Sequence, residues 1–292
     1  ANQRDIKRRI ASVKNTRKIT STMEMVASSK MKRTSERLAQ SKPFEERVNG
    51  VISNLMAAGF STISHPLFRS VPNPAKVLIL QITGNRGLCG GYNAHVIENT
   101  IKFKEQLESE GKEVLLYVIG KKATSYFKFI KVDVQKDILN LEDSFSFEDA
   151  ASLGEELTKT FTSDEVQEVY VSYTKVISNT NQKPEILKLL PIMPEMEIDS
   201  DEIPNASLDY IFDPEPAKIF SYILPLYLKV RLLTCFLESS YSEHFARRVA
   251  MKNATDAAKE MIRELNITYN RVRQDKITTE ISEIVGGAAA LE

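Results

Sequence analysis

Residues 226–285 read LYLKVRLLTCFLESSYSEHFARRVAMKNATDAAKEMIRELNITYNRVRQDKITTEISEIV, sixty residues with neither glycine nor proline. Residues 1–42 lack both as well, although the chain of 292 residues holds 11 of each. Gly and Pro punctuate secondary structure, so two long unpunctuated stretches near opposite ends predict two unusually long helices. The apolar spacing agrees. Ile219, Ile223, Leu226, Val230, Leu233 and Leu237 step by four and three, as do Ala258, Ile262, Leu265, Tyr269 and Val272, and Ile277, Ile281 and Ile284 resume after a skip. That is a heptad seam with stutters. Pro225 is expected in the first turn of this helix, where its missing N–H costs nothing.

In the N-terminal stretch Ile6, Ile10 and Val13 form a similar step, and Ile19, Met23 and Val26 another. Ala27, Ser28 and Ser29 are small enough to let a second helix come close. A helix of about 55 residues would be about 80 Å long, more than a compact domain of this size needs. The expectation is an antiparallel coiled coil of residues 1–57 with residues 206–292, projecting from a central domain over residues 75–205. The simpler reading, core faces of ordinary amphipathic helices, fits the same spacing.

The middle of the chain follows a different rule. Val77–Ile82 is a short apolar, β-branched run that suits a buried strand. A glycine-rich turn, Thr83–Asn93, comes next, then a helical stretch to about Glu110. Val114–Ile119 and Glu168–Val176 read as strands, Phe147–Phe161 as a helix and Glu185–Pro191 as one more strand. Strands alternating with helices predict a Rossmann-like α/β domain with a largely parallel sheet. The fold class expected is therefore α/β with a long coiled coil.

The chemistry-bearing residues are sparse. Gly84, Gly87, Gly90 and Gly91 do not have the spacing of a dinucleotide fingerprint, and no Gly-Lys-Ser/Thr follows. The loop is either a structural turn that uses left-handed backbone angles or an anion site at the next helix N-terminus. Three histidines (His65, His95, His244) and two cysteines (Cys89, Cys235) are too few and too scattered for a zinc site, a disulfide framework or a recognised catalytic constellation. The cysteines are expected as free thiols in a reducing compartment, Cys89 as a small packed residue. Ser242, Glu243 and His244 are expected on a solvated turn of the long helix. No apolar run is expected to approach a membrane span, and no apolar leader is visible.

Net charge is zero, with 39 basic and 39 acidic residues, but it is polarised. Residues 1–42 hold 12 Lys/Arg against three acids, whereas residues 195–215 hold eight acids and no Lys or Arg. A basic helix suits a solvated face, an acidic partner, a membrane surface or nucleic acid, and no nucleic-acid-binding module is recognisable. Residues 284–291 are apolar with small side chains, which fits a tip either sheathed by other protein or folded back on its own chain.

Four stretches together carry a resemblance. Residues 10–31 (IASVKNTRKITSTMEMVASSKM), 86–93 (RGLCGGYN), 242–255 (SEHFARRVAMKNAT) and 269–290 (YNRVRQDKITTEISEIVGGAAA) resemble, in order, the signatures of the gamma subunit of rotary F-type ATP synthases. The resemblance implies a non-catalytic rotor shaft that binds no cofactor itself. Its terminal helices would enter a hexamer of alpha and beta subunits. Its α/β domain would stay outside, on the c-ring beside epsilon, peripheral to the membrane. It implies beta-subunit contacts at Arg247, Arg273, Gln274, Thr278, Glu280 and Met23, and a c-ring or epsilon contact at Tyr210. Residues 185–225 lack the cysteine pair of the chloroplast versions, so thiol control is not expected. The bacterial pattern of the N-terminal signature implies the cytoplasmic face of a bacterial plasma membrane rather than a mitochondrial inner membrane.

Two other readings compete. One is a small-molecule or nucleotide-binding α/β enzyme with helical oligomerisation arms, favoured by the glycine loop alone. The other is a basic coiled-coil adaptor for nucleic acid or membrane.

Overall fold

Lys76–Ile82 (β1) is buried from Val77 onward, because it lies in the centre of a five-stranded sheet and meets helices on both faces. The computed structural model describes residues 2–57, 65–138, 145–193 and 216–289. Along the chain follow α1 (Gln3–Ala57), β1, α2 (Tyr92–Ser109), β2 (Glu113–Ile119), α3 (Lys121–Phe129), β3 (Lys136–Ile138), α4 (Phe147–Thr162), β4 (Glu168–Val176), β5 (Gln182–Leu190) and α5 (Pro216–Ala289). The mixed α/β class and the two long helices agree with expectation. α3 and β3 are additions that no apolar period announced, being nine and three residues long.

The sheet order is β3-β2-β1-β4-β5. β1 pairs in parallel with β2 and β4, and β2 with β3, whereas β4 and β5 form an antiparallel hairpin. The strand order reverses between β1 and β4, so the carboxyl end of β1 is the topological switch point where open α/β sheets usually bind ligands. Leu78, Leu80 and Ile82 face a core shared with Leu153, Leu157 and Phe161 of α4 and with Phe220, Leu224, Leu228 and Leu232 of α5. Val77 and Ile79 face the other core, with Ile97 and Leu107 of α2 and Phe127 of α3. Ser146 caps α4 through a reciprocal pair with Asp149, the Asp149 N–H donating to Ser146 Oγ at 3.1 Å.

The chain divides into two units, residues 30–246 and residues 1–29 with 247–292. In the first, α5 opens with Pro216 and carries Pro225 in its interior, not in its first turn. An interior proline costs about 3 kcal/mol. Burial of Phe220, Leu224 and Leu228 contributes about 1.5–3 kcal/mol each, which outweighs it. The side buried against the sheet runs Phe220, Leu224, Leu228, Leu232; of the expected seam Val230 and Leu237 are buried, whereas Ile219, Ile223, Leu226 and Leu233 are half-buried. A flat sheet accepts a four-residue row, while a coiled-coil partner requires the four-three step. The same turns correct the membrane expectation, since α5 contains an 18-residue window of mean hydropathy 1.5 with no more than two charges. Its buried row is matched to protein, against the sheet.

In the second unit α1 and α5 pair antiparallel: Gln3 Nε2 donates to Tyr269 Oη at 3.2 Å, and Thr255 Oγ1 donates to Thr20 Oγ1 at 2.8 Å. The buried side of α1 runs Ile6, Ile10, Thr20 and Ala27, with Val13 half-buried. Ile19 and Val26 are exposed and Met23 is half-buried, so the second expected step falls one position off the seam. Small Thr20 and Ala27 keep the seven-residue register from Ile6 and Val13, and an apolar count passes over them. On α5 the expected seam is present at Ala258 and Ile262, with Leu265, Tyr269 and Val272 half-buried.

Candidate functional site

The glycine loop sits at the switch point, so its contents decide whether a ligand could bind there. Thr83 Oγ1 donates to the Ile119 carbonyl at 3.0 Å, and the Gly84 N–H donates to Asn93 Oδ1 at 2.9 Å. Asn93 Nδ2 reaches Cys89 Sγ at 3.1 Å and the Arg86 carbonyl at 3.3 Å. Asn85 Oδ1 accepts the Lys121 N–H at 3.0 Å, which ties the loop to the start of α3. Gly120 has φ 105°, and a Cβ there would lie 2.2 Å from the Thr83 carbonyl oxygen. The His95 imidazole lies against Gly91, over the first turn of α2.

The space left between this loop and α5 is about 20 Å3, lined in part by Thr83, Gly84, Asn85, Ser239 and Glu243. That holds one water. Among the described residues, the loop is a packed connector, and no group of three or more His, Cys, Asp or Glu is placed to hold a metal. Cys89 is 2% exposed, as packing predicted.

Ser242, Glu243 and His244 are buried, contrary to the solvated turn expected of them. A Cβ at Gly84 would come within 2.7 Å of the Glu243 carboxyl carbon, so glycine is what lets this turn of α5 lie over the loop. Polar letters on a helix read as solvent-facing only until a second element covers them.

One turn earlier is a buried polar cluster that periodicity could not reveal. Glu45 of α1 is ion-paired with Arg231 of α5 and accepts from Thr234 Oγ1 at 2.8 Å. On the turn after Thr234, Ser239 Oγ accepts the Thr174 N–H of β4 at 3.2 Å. Burial pushes the Glu238 carboxyl up to about 7, with Lys42 and Lys175 opposing and Glu45 reinforcing the rise. Burial likewise pushes the Cys235 thiol up. The only signal in the sequence was glutamates falling on otherwise apolar helix faces.

The residues expected to meet a partner lie mainly on the far part of α5. Arg273, Gln274, Thr278 and Glu280 are all exposed, and Glu280 accepts an ion pair from Lys276 at 3.4 Å. At 100° per residue they flank Ile277, Ile281 and Ile284, which are exposed too, Ile284 at 72%. The seam predicted to continue here therefore has no partner among the described residues, the pairing with α1 being seen as far as Gln3 opposite Tyr269. Among the two outcomes expected for the apolar end, the described part is not folded back, since Val285 is 61% exposed. Arg247 is half-buried on α5 and Met23 half-buried on α1. Tyr210 lies outside the described residues. A groove of about 540 Å3 runs beside the Thr20–Thr255 bond, with Arg17, Lys18, Lys252 and Lys259 on its walls and Glu24 and Asp256 among them.

A family profile for ATP synthase matches residues 2–291. The ATP synthase gamma chain of Leptospira biflexa is 42% identical over 291 residues, covering 100% of this chain and 99% of that one. The chain belongs to the ATP synthase gamma-chain family. The ATP synthase gamma chains of Dehalococcoides mccartyi and Glaesserella parasuis, at 40% and 38% identity over the full chain, are further members it resembles. The fold is similar to that of a chain in the Euglena gracilis mitochondrial ATP synthase (OSCP/F1/c-ring), with TM-score 0.66 and 20% identity, covering 99% of this chain and 94% of that one.

Proposed function

We propose that this chain is the central rotor shaft of an F-type ATP synthase, non-catalytic itself, on the cytoplasmic face of a bacterial plasma membrane. Residues 1–57 and 206–292 form the shaft, and residues 75–205 form the domain that stays outside the catalytic hexamer. Alpha and beta subunits surround the shaft, and the c-ring and epsilon lie at its base. Arg247, Arg273, Gln274, Thr278, Glu280 and Met23 meet the beta subunits, and Tyr210 meets the c-ring or epsilon. The observation that carries the reading is the end of α5, where an isoleucine stripe edged by Arg273, Gln274, Thr278 and Glu280 is exposed, with no covering helix among the described residues. An apolar stripe rimmed by polar groups is the chemistry of a protein–protein contact.

The mechanism is a coupling of free energies. A shaft with different side chains around its circumference presents a different face to each of three beta subunits, so each site's nucleotide affinity depends on shaft angle. The coupling is reciprocal: ATP binding and hydrolysis turn the shaft, and ion flow through the ring drives synthesis by turning it the other way. The test is reconstitution with matching alpha and beta subunits, with a bead on an engineered Ser125→Cys, since Cys89 is buried and Ser125 exposed. Rotation in three equal steps driven by ATP is expected. Normal assembly without rotation would refute the reading.

A further inference from the structure

The sheet and both long helices meet at one buried polar junction in the unit of residues 30–246. β4 donates to α5 from the Thr174 N–H to Ser239 Oγ at 3.2 Å, and the Val176 N–H at its end favours the charged form of the Glu238 carboxyl. Between one and two turns earlier, α5 reaches α1 through Arg231 and Thr234, both bonded to the Glu45 carboxylate, the second at 2.8 Å. Glu45 and Glu238 are each 6% exposed and Ser239 1%. Around them the contacts are apolar: Phe145 stacks on Phe236 at 4.1 Å, and Val48, Ile52 and Leu232 fill the same core. Arg37 of α1 adds a bond to the Phe145 carbonyl at 2.5 Å.

Apolar packing is non-directional, and a helix can roll or slide across it while losing little. A buried ion pair adds little net stability over well-packed apolar residues, but it has one geometry. If α5 slipped by one turn, about 5.4 Å, the Glu45–Arg231 pair would break and the buried Glu45 carboxylate would lose its counter-charge, which is strongly unfavourable. The cluster therefore resists relative sliding and rolling of the helices more than it holds them together.

We propose that Glu45, Arg231, Thr234, Glu238 and Ser239 are positioning residues that form a torque-bearing junction, through which a load on the sheet reaches α5 and then α1 without slip. The proposal rests on the rotor reading above. It goes beyond it in assigning load transfer to a buried cluster that touches neither nucleotide nor partner subunit.

The test uses the complete membrane-bound complex carrying Glu45→Met with Arg231→Met, a pair of similar length without the charges. Assembly, thermal stability and unloaded ATP hydrolysis are expected to stay within about twofold of the unmodified complex. ATP-driven ion pumping and the torque delivered against a viscous load are expected to fall at least about fivefold. Glu45→Arg with Arg231→Glu should restore most of the loss. Normal pumping by the apolar pair would overturn the proposal. So would a loss of hydrolysis and pumping in step with a lowered melting temperature, which is what a purely structural role predicts. If the apolar pair does not assemble, Glu45→Gln decides, because it keeps the volume and the Thr234 bond. Reduced torque with normal unloaded hydrolysis supports the junction, and unchanged torque overturns it. An unmodified complex that neither rotates nor pumps would instead refute the rotor reading.

Discussion

Replacing Glu238 by Gln removes a carboxyl that the fold prefers neutral, and the effect on stability has a definite pH signature. In the unfolded chain the group ionises near 4.5, whereas burial moves it to about 7 in the fold. Below pH 4.5 the carboxyl is protonated in both states and its contribution is fully present. Between 4.5 and 7 the unfolded chain has released a proton that the fold still holds, so stability falls as pH rises. Above 7 both states are ionised and the loss is complete. The interval corresponds to about 3 kcal/mol. Glutamine keeps the volume, and burying its amide NH2 changes stability by a pH-independent amount. The readout is therefore the difference between the two proteins as a function of pH. Urea unfolding of the full chain, followed by far-ultraviolet circular dichroism at pH 5, 6, 7 and 8, should show the variant gaining about 2.5 kcal/mol on the native protein across that range. A difference that does not change with pH would mean that Lys42 and Lys175 hold Glu238 ionised throughout, and the burial argument would fail.

Other outcomes follow from the same geometry. Gly120→Ala places a methyl group 2.2 Å from the Thr83 carbonyl oxygen at a left-handed backbone angle, so the chain should lose about 3 kcal/mol or more in thermal unfolding. Arg273→Ala with Gln274→Ala removes two exposed side chains, so the melting curve should stay unchanged while ATP synthesis by the reconstituted complex falls. Unchanged synthesis would remove both residues from the partner surface. Ala258→Pro, within the buried α1–α5 seam, should cost about 3 kcal/mol and lower assembly yield, whereas truncation at Gly286 should be tolerated better. Equal yields would contradict a stiff shaft with a replaceable tip. Cys89 and Cys235 are both buried, so a thiol reagent at pH 8 should label neither until the chain is unfolded.

The amino-acid sequence by itself determined the two long helices, through the absence of Gly and Pro over 226–285 and 1–42, and the buried strand at Val77–Ile82. It determined the α5 seam at Ala258 and Ile262, because apolar side chains at four-three spacing can be buried by one partner helix. It also carried the family, since four ordered signatures are local strings. Only the tertiary structure decided which polar residues are inside. Thr20 and Thr255 look neutral in a periodicity count, yet they are buried and bonded to each other at 2.8 Å. Glu45 and Glu238 read as solvent-facing glutamates until α1, α5 and β4 converge on them. Ser242, Glu243 and His244 read as an exposed turn, yet all three are buried, Glu243 against Gly84 of the loop after β1. Local spacing records which face of one element is apolar, but a charge is buried only when a distant element supplies its partner. That pairing depends on contacts across more than 180 residues of chain between Glu45 and Arg231.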